Sequence, residues 1–290
     1  KNRKTSGTFG ITMMNSMMDK DRYIQLLKMV LIDLHHVEYG EYKPLYGHFM
    51  WRVKLVRAIN SLISSADIAI CKKIEPNMQK RIEGRDWPGY ADTMIGLKRI
   101  ENLEFCINQI LKDNVPGDFI ETGVWRGGAS IFMKALLEVN DDHERVVWLA
   151  DSFEGLPKPD VKNYKADKGD KHFAMKELAV SLETVKNNFS KYNLLDDNVK
   201  FLKGWFKDTL PVAPIEKLSL VRLDGDMYES TMDGIVNLYP KLSVGGYLIV
   251  DDWGAVQGCK DAIIDYRTKH NITEEIIPID WAGVYWRRER

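Results

Sequence analysis

The chain has 290 residues, 44% of them hydrophobic, and its 41 basic and 42 acidic residues leave a formal charge of −1. That length carries one large α/β domain with a smaller appended region, and the apolar content excludes a disordered chain. The balanced charge removes the electrostatic argument for nucleic acid or an anionic membrane as the main partner.

Residues 1–18 are polar and methionine-rich without periodicity and read as a flexible tail. Tyr23, Leu26, Leu27, Val30, Leu31 and Leu34 then recur at helical spacing and predict a first helix. Phe49, Val53, Val56, Ile59 and Ile63 predict a second, whose other side carries basic residues between His48 and Arg57. It reads as a core-packing helix, with a membrane-surface or partner-binding element as the alternative. The N-terminal apolar run from Leu26 to Leu34 is broken by Lys28 and Asp33, well short of the roughly 20 apolar residues of a membrane span. No signal-peptide pattern is visible, so a cytoplasmic location is expected. The start at Lys1 rather than Met leaves open a trimmed leader or a place in a larger synthase. Cys71, Cys106 and Cys259 stand far apart with no CxxC pair, which excludes a disulfide framework and a zinc site and fits free thiols in a reducing compartment.

Trp87-Pro88-Gly89 marks a turn, and a helix is expected from Met94 to about Lys112 on the spacing of Ile95, Ile100, Leu103, Ile107 and Leu111. After Pro116-Gly117 the pattern becomes βαβ. Strands are predicted at Asp118–Glu121, Val146–Ala150, Val199–Leu202, Leu218–Leu223 and Tyr247–Val250. Helices are predicted at Ala129–Val139, Phe173–Tyr192, Met232–Leu242 and Gln257–His270. The charged stretch Lys158–Lys171 reads as a mobile surface loop. Glu275–Ile279 and Gly283–Arg287 close the chain as a strand pair. The expected architecture is α/β: an open, mostly parallel sheet with helices on both faces and an antiparallel C-terminal edge strand. Residues 1–84 form an N-terminal helical extension or lid, and 85–290 the main domain.

The first strand leads into Glu121-Thr-Gly-Val-Trp-Arg-Gly-Gly128 and a helix. Ligands of open α/β sheets sit outside the carboxyl ends of the strands, where glycines let the backbone turn tightly. The segment resembles a dinucleotide fingerprint, but Glu121 replaces its first glycine. A carboxylate there repels a pyrophosphate and accepts hydrogen bonds from a cationic amino-acid end, the preference expected for S-adenosylmethionine. Asp151, at the end of the next strand, is placed to accept ribose hydroxyls. An ordinary strand-to-helix turn is the plainer alternative.

Leu223-Asp224-Gly-Asp226 and Val250-Asp251-Asp252 end two further strands. On adjacent parallel strands these acids meet at one rim of the sheet, and clustered carboxylates call for a cation between them. Oxygen ligands with open positions suit Mg²⁺. Such an ion acidifies a bound hydroxyl, and a nearby carboxylate takes the proton. As the competing structural reading, Asp251 and Asp252 cap the following helix, and Asp226 caps the helix after Ser230. That role is expected of Asp226.

At these residues the sequence resembles the macrocin O-methyltransferase family, whose members methylate sugar hydroxyls on macrolide and aminocoumarin antibiotics. The resemblance runs from about Arg85 to the C-terminus. It rests on Thr93-Met-Ile-Gly96, Pro116-Gly-Asp118, Glu121-Thr-Gly-Val-Trp-Arg-Gly-Gly128, Ala150-Asp-Ser-Phe153, Gly204-Trp-Phe-Lys-Asp208, Leu223-Asp-Gly-Asp226, Asp251-Asp252 and Gly283-Val-Tyr-Trp-Arg287.

The resemblance implies a Rossmann-like class I methyltransferase with a seven-stranded sheet, S-adenosylmethionine and Mg²⁺. Glu121 and Gly123 would meet the amino-acid end of the donor, with Thr122 and Ser130 beside them. Asp151 would hold the ribose, and Ser152 and Phe153 would line the adenosine pocket. Trp205 and Phe206, after Gly204, would flank the adenine, and Met94 would form an active-site wall. Asp224, Asp251 and Asp252 would ligate Mg²⁺, with Asp224 also the general base. The acceptor would be a small-molecule hydroxyl, glycosylated or polyketide-type, and the enzyme a homo-oligomer, dimer or tetramer.

Plainer readings stand beside these. Phe153, Trp205 and Phe206 also fit core aromatics, Met94 a core filler, and His172 a surface-loop histidine. Trp87 stands where some antibiotic-sugar enzymes have a tyrosine, and residues 1–84 share little motif content. The alternative functions are a non-catalytic scaffold on the same fold and an NAD-dependent oxidoreductase; the acid cluster argues against the first and Glu121 against the second.

Overall fold

The computed structural model describes residues 19–36, 41–44, 51–75 and 77–290. The tail expected over residues 1–18, and Phe49, lie outside them. The N-terminal part contains α1 (Asp19–Leu31), β1 (Glu41–Pro44), α2 (Trp51–Ile63), β2 (Cys71–Ile74) and α3 (Met78–Glu83). Then follow α4 (Leu97–Lys112), β3 (Asp118–Thr122), α5 (Gly128–Val139), β4 (Val147–Asp151), α6 (Leu182–Lys191), β5 (Val199–Lys203) and α7 (Phe206–Thr209). The chain ends with β6 (Leu218–Leu223), α8 (Tyr228–Leu238), β7 (Leu242–Val250), α9 (Gln257–Lys269), β8 (Ile277–Pro278) and β9 (Val284–Arg287).

Strands β3 to β9 form one seven-stranded sheet in the order β5-β4-β3-β6-β7-β9-β8. The pairings from β5 to β7 are parallel. The antiparallel member is β9, which pairs with β7 on one side and with the two-residue β8 on the other. The strand order reverses direction between β3 and β6, so the crevice of an open α/β sheet opens at their carboxyl ends. β1 and β2 make a separate antiparallel ribbon in the N-terminal part, where only helices were expected.

Alternation along the strands explains the two-sided core. Phe119, Leu149, Leu220 and Ile249 face one way and pack with α1, α4 and α5. Ile120, Ala150, Val221, Leu248 and Val250 face the other and pack with Ile235, Leu238, Ile263 and Trp286. All six residues of β6 are buried, as a parallel strand covered on both faces requires.

Several helix ends differ from the sequence reading for physical reasons. On α1 the buried residues are Ile24, Leu27, Lys28 and Leu31, while Leu26 is 61% exposed. The face is turned because α1 packs on α5 and Lys28 pairs with Glu104 of α4. α4 begins at Leu97 rather than Met94. Gly96 passes so close to α3 that a Cβ there would lie 2.3 Å from the Ile82 carbonyl oxygen, and the chain can turn helical only beyond it. Arg81 of α3, fully buried, donates to the carbonyls of Met94 (2.7 Å) and Ile95 (2.8 Å) and holds that segment extended.

The helix expected from Phe173 begins only at Leu182, where the Ser181 hydroxyl accepts the Thr184 amide. Before it lie two short 3₁₀ turns, held across the sheet end by the Trp125 indole, which donates to the Glu177 carbonyl at 2.9 Å. α8 begins at Tyr228, earlier than expected. Its first amides are capped by Asp167, which accepts from Tyr228 (2.6 Å) and Glu229 (3.1 Å). Among the described residues no helix is long and apolar enough to cross a membrane.

Candidate active site

The carboxyl ends of β3, β4, β6 and β7 carry Glu121, Asp151, Asp224 and Asp251 to one rim. At the end of β3 the chain turns through Gly123, with φ +80°. A Cβ on Gly123 would stand 1.8 Å from the Asp224 carbonyl oxygen, so the two strand ends touch backbone to backbone.

Two clefts open at this rim. Met94, Gly123, Asp151, Ser152, Gly204, Trp205 and Phe206 all line the first. Glu121, Trp87, His172, Asp251, Asp252 and Trp281 line the second. Met94, Gly123, Trp125, Leu178, Asp224 and Asp226 belong to both and form a shared wall. Thr122, Ser130 and Phe153 line neither cleft and are buried behind it. Phe153 packs edge-on against Phe201, and the Ser130 hydroxyl donates to Glu121.

Asp151 is held in place by the chain itself: it accepts the amides of Val124 and Phe153, each at 2.7 Å. Burial pushes its carboxyl above the usual range in spite of those two donors. The Ser152 hydroxyl donates to the Gly155 carbonyl at 2.6 Å and fixes the bend beyond β4.

The acids are organised by two guanidiniums. Arg222, next to the carboxyl end of β6 and opposite Glu121 in register, donates to Glu121 (2.6 Å), Asp224 (2.8 Å) and Asp251 (2.5 Å). Arg99 of α4 donates to the other oxygen of Asp251 and, at 3.0 Å, to Asp280. Burial would raise Asp251, but Arg222 and Arg99 outweigh it and hold its carboxyl below the usual range. Asp252 goes the other way: burial and then Asp226, Asp224 and Asp251 push it far up. Carboxyl groups therefore outnumber guanidiniums on the side that faces the clefts.

Oxygens of Asp224, Asp251 and Asp252 lie within 4.8 Å of one another. Hard donors at that spacing, with Asp252 facing three other acids, fit a divalent cation. The other such group among the described residues, Asp33, His35 and His36, lies in the turn after α1 and lines neither cleft.

Three expectations about nearby residues are corrected. Asp226 does not cap α8, because Asp167 does; Asp226 has φ +56° and stands at the shared wall. Nor do Asp251 and Asp252 cap α9, whose N-cap is Val256 with no side-chain hydrogen bond. His172 is not simply a surface histidine: it lines the second cleft with its ring 2.7 Å from Asp170.

Arg222, Arg99, Asp280 and Asp167 escaped the sequence reading. Arg222 had a legible signal, a lone charge inside the apolar run Leu218–Leu223, since a buried cation demands partners. Arg99 and Asp167 had none, because their partners are far away in sequence.

Burial pushes Glu121 from its usual value of 4.5 up to about 7, against the opposing pull of Arg222 and Ser130. A carboxyl raised by folding contributes stability below its unfolded pKa and loses it as the pH rises through the folded one. Wild-type stability should therefore fall between about pH 4.5 and 7 through this group. Glu121→Gln should show a flatter profile in thermal unfolding across that range, and an unchanged slope would refute the assignment.

A family model described as macrocin-O-methyltransferase (TylF) matches residues 20–288. Demethyldecarbamoylnovobiocin O-methyltransferase of Streptomyces niveus is 55% identical over 211 residues, spanning 72% of this chain and 80% of that protein. Mycinamicin III 3''-O-methyltransferase of Micromonospora griseorubida is 49% identical over 213 residues, spanning 72% and 84%. The structure of the O-methyltransferase NovP superposes with a TM-score of 0.80 at 44% identity, covering 94% of this chain and all of that one (100%). The sheet, with β9 antiparallel beside β7, is thus that of a Rossmann-like class I methyltransferase. The chain belongs to the macrocin O-methyltransferase family, and it is an O-methyltransferase.

Proposed function

We propose that this enzyme transfers the methyl group of S-adenosylmethionine to a hydroxyl of a natural-product acceptor, a sugar or polyketide-type compound, with the help of Mg²⁺. The observation that carries this reading is the shared wall. A donor in the first cleft and an acceptor in the second meet over Gly123, Asp224 and Asp226. Methyl transfer asks the protein mainly to align the two.

In this reading Asp151 and Ser152 serve the ribose, and Gly204, Trp205 and Phe206 the adenine, in the first cleft. Glu121, which lines the second cleft, serves the amino-acid end across the shared wall, with Thr122, Ser130 and Phe153 supporting from behind and Met94 closing the wall. Asp224, Asp251 and Asp252 hold the Mg²⁺, which when bound orients and acidifies a hydroxyl. The departing proton goes to a carboxylate of the shared wall. Asp224 is the first candidate. Asp226 is the second: burial and the neighbouring Asp224 push it up to about 7, a value suited to a base at neutral pH. Residues 1–84 serve as an extension or lid of the methyltransferase domain of 85–290, and Gly84, at their end, lines the second cleft.

The test is a mass-spectrometric screen of glycosylated and polyketide-type acceptors with S-adenosylmethionine, with Mg²⁺ and with a chelator. The expected product is heavier by one CH₂ unit and forms only with Mg²⁺. Undiminished turnover in chelator would remove the metal from the reading. Tight binding of NAD(H) without binding of S-adenosylmethionine would remove the donor.

A further inference from the structure

Six carboxyl groups, those of Glu121, Asp224, Asp226, Asp251, Asp252 and Asp280, gather around the Arg222 and Arg99 guanidiniums at the sheet end. The Arg222 side chain is 3% exposed and that of Arg99 8%. Burying such charges is costly, and a well-packed apolar residue in β6 would serve stability at least as well. Their placement calls for another account.

The contacts are specific. The two guanidiniums take both oxygens of Asp251, and Arg222 takes one oxygen of Asp224. These are two of the three carboxylates proposed above to hold the divalent cation. The third, Asp252, accepts the Asp226 amide at 3.0 Å, and among the described residues no guanidinium reaches it. Arg222 also spans to Glu121, on the strand that leads into the glycine turn.

We propose that Arg222, backed by Arg99, is a positioning residue: a resident counter-ion that aims Asp224 and Asp251 without help from a metal and keeps the divalent cation weakly bound and exchangeable. The inference rests on the cation reading of the previous subsection. Converging carboxylates repel, and a fixed positive charge between them lets the rim fold on its own. The same charge, one carboxylate away from the ion, weakens the binding of any further cation.

The experiment compares the full chain with Arg222→Gln and Arg99→Gln. Mn²⁺ is the probe, its free concentration read by electron paramagnetic resonance, and Tm is measured in chelator and in saturating Mg²⁺. Arg222→Gln is expected to bind Mn²⁺ at least about tenfold more tightly than wild type. Its Tm should fall in chelator and recover by at least half in Mg²⁺. Arg99→Gln, which touches Asp251 alone among the ligands, should shift in the same direction by less. If Arg222→Gln does not fold in either condition, the Mn²⁺ affinity of Arg99→Gln decides. Equal Mn²⁺ affinity in the folded variants and wild type, or a Tm loss that Mg²⁺ leaves untouched, would overturn the inference alone. Failure of wild type itself to bind Mn²⁺ would overturn both the inference and the cation reading.

Discussion

Asp224→Asn is expected to lower kcat at least about 10³-fold, while S-adenosylhomocysteine binding stays within about threefold of wild type. The carboxylate stands at the wall shared by both clefts, and its oxygens lie within 4.8 Å of those of Asp251 and Asp252. Asparagine keeps the shape but withdraws the charge that a cation needs. Donor binding is spared because the donor's other expected contacts, Asp151, Ser152 and Gly204 to Phe206, belong to the first cleft. The fold is spared because Arg222 retains Glu121 and Asp251. Asp226→Asn separates two duties. If Asp226 is the proton acceptor, its loss lowers kcat by about 10²-fold or more and leaves Mn²⁺ affinity near wild type. If Asp224 does both jobs, Asp226→Asn stays close to wild type in rate. Full activity of Asp224→Asn would end the metal-and-base mechanism.

Gly123→Ala should be the most damaging small substitution on the rim. Its left-handed φ of +80° costs an alanine about 1–2 kcal/mol by itself. The new methyl would also stand 1.8 Å from the Asp224 carbonyl oxygen, which only a separation of β3 from β6 can relieve. A total loss of about 3 kcal/mol or more follows, a Tm drop of roughly 5 °C or more in a chain of this size. Gly169→Ala is the control: φ is +95° and nothing lies within 4 Å of its added Cβ, so only the backbone cost of about 1–2 kcal/mol remains. Similar Tm values for the two variants would show that the strand ends of β3 and β6 do not touch at Gly123.

Legibility of the sequence followed the range of the interactions. Strands β4, β6 and β7 announced themselves because a buried parallel strand is a mostly apolar run, and Leu218–Leu223 is buried along its whole length. The acids at the rim were legible for the same reason, since each ends such a run. Contacts across long stretches of sequence were not. The start of α8 depends on Asp167, and the start of α4 on how closely Gly96 approaches Ile82 and Gly84. The expected helix from Phe173 gave way to turns because Trp125 claims the Glu177 carbonyl from the other side of the site. The same limit hid Arg99, whose ion-pair partners Asp251 and Asp280 sit at the far end of the chain.

Asp167 joins two parts of the molecule that are usually treated apart. It belongs to the charged loop between β4 and α6, yet it holds the first amides of α8, and Gly258 on α9 leaves room for its carboxylate. α8 in turn presents Glu229, Ser230 and Asp233 to the first cleft. The loop is therefore fastened by a two-bond latch whose catch is the helix end itself. When the latch opens, the amides of Tyr228 and Glu229 lose their acceptor together, and the wall that α8 gives to the first cleft slackens in the same event. On the proposed placement of the donor, fraying of this one helix terminus loosens its wall and is expected to speed release of the spent donor.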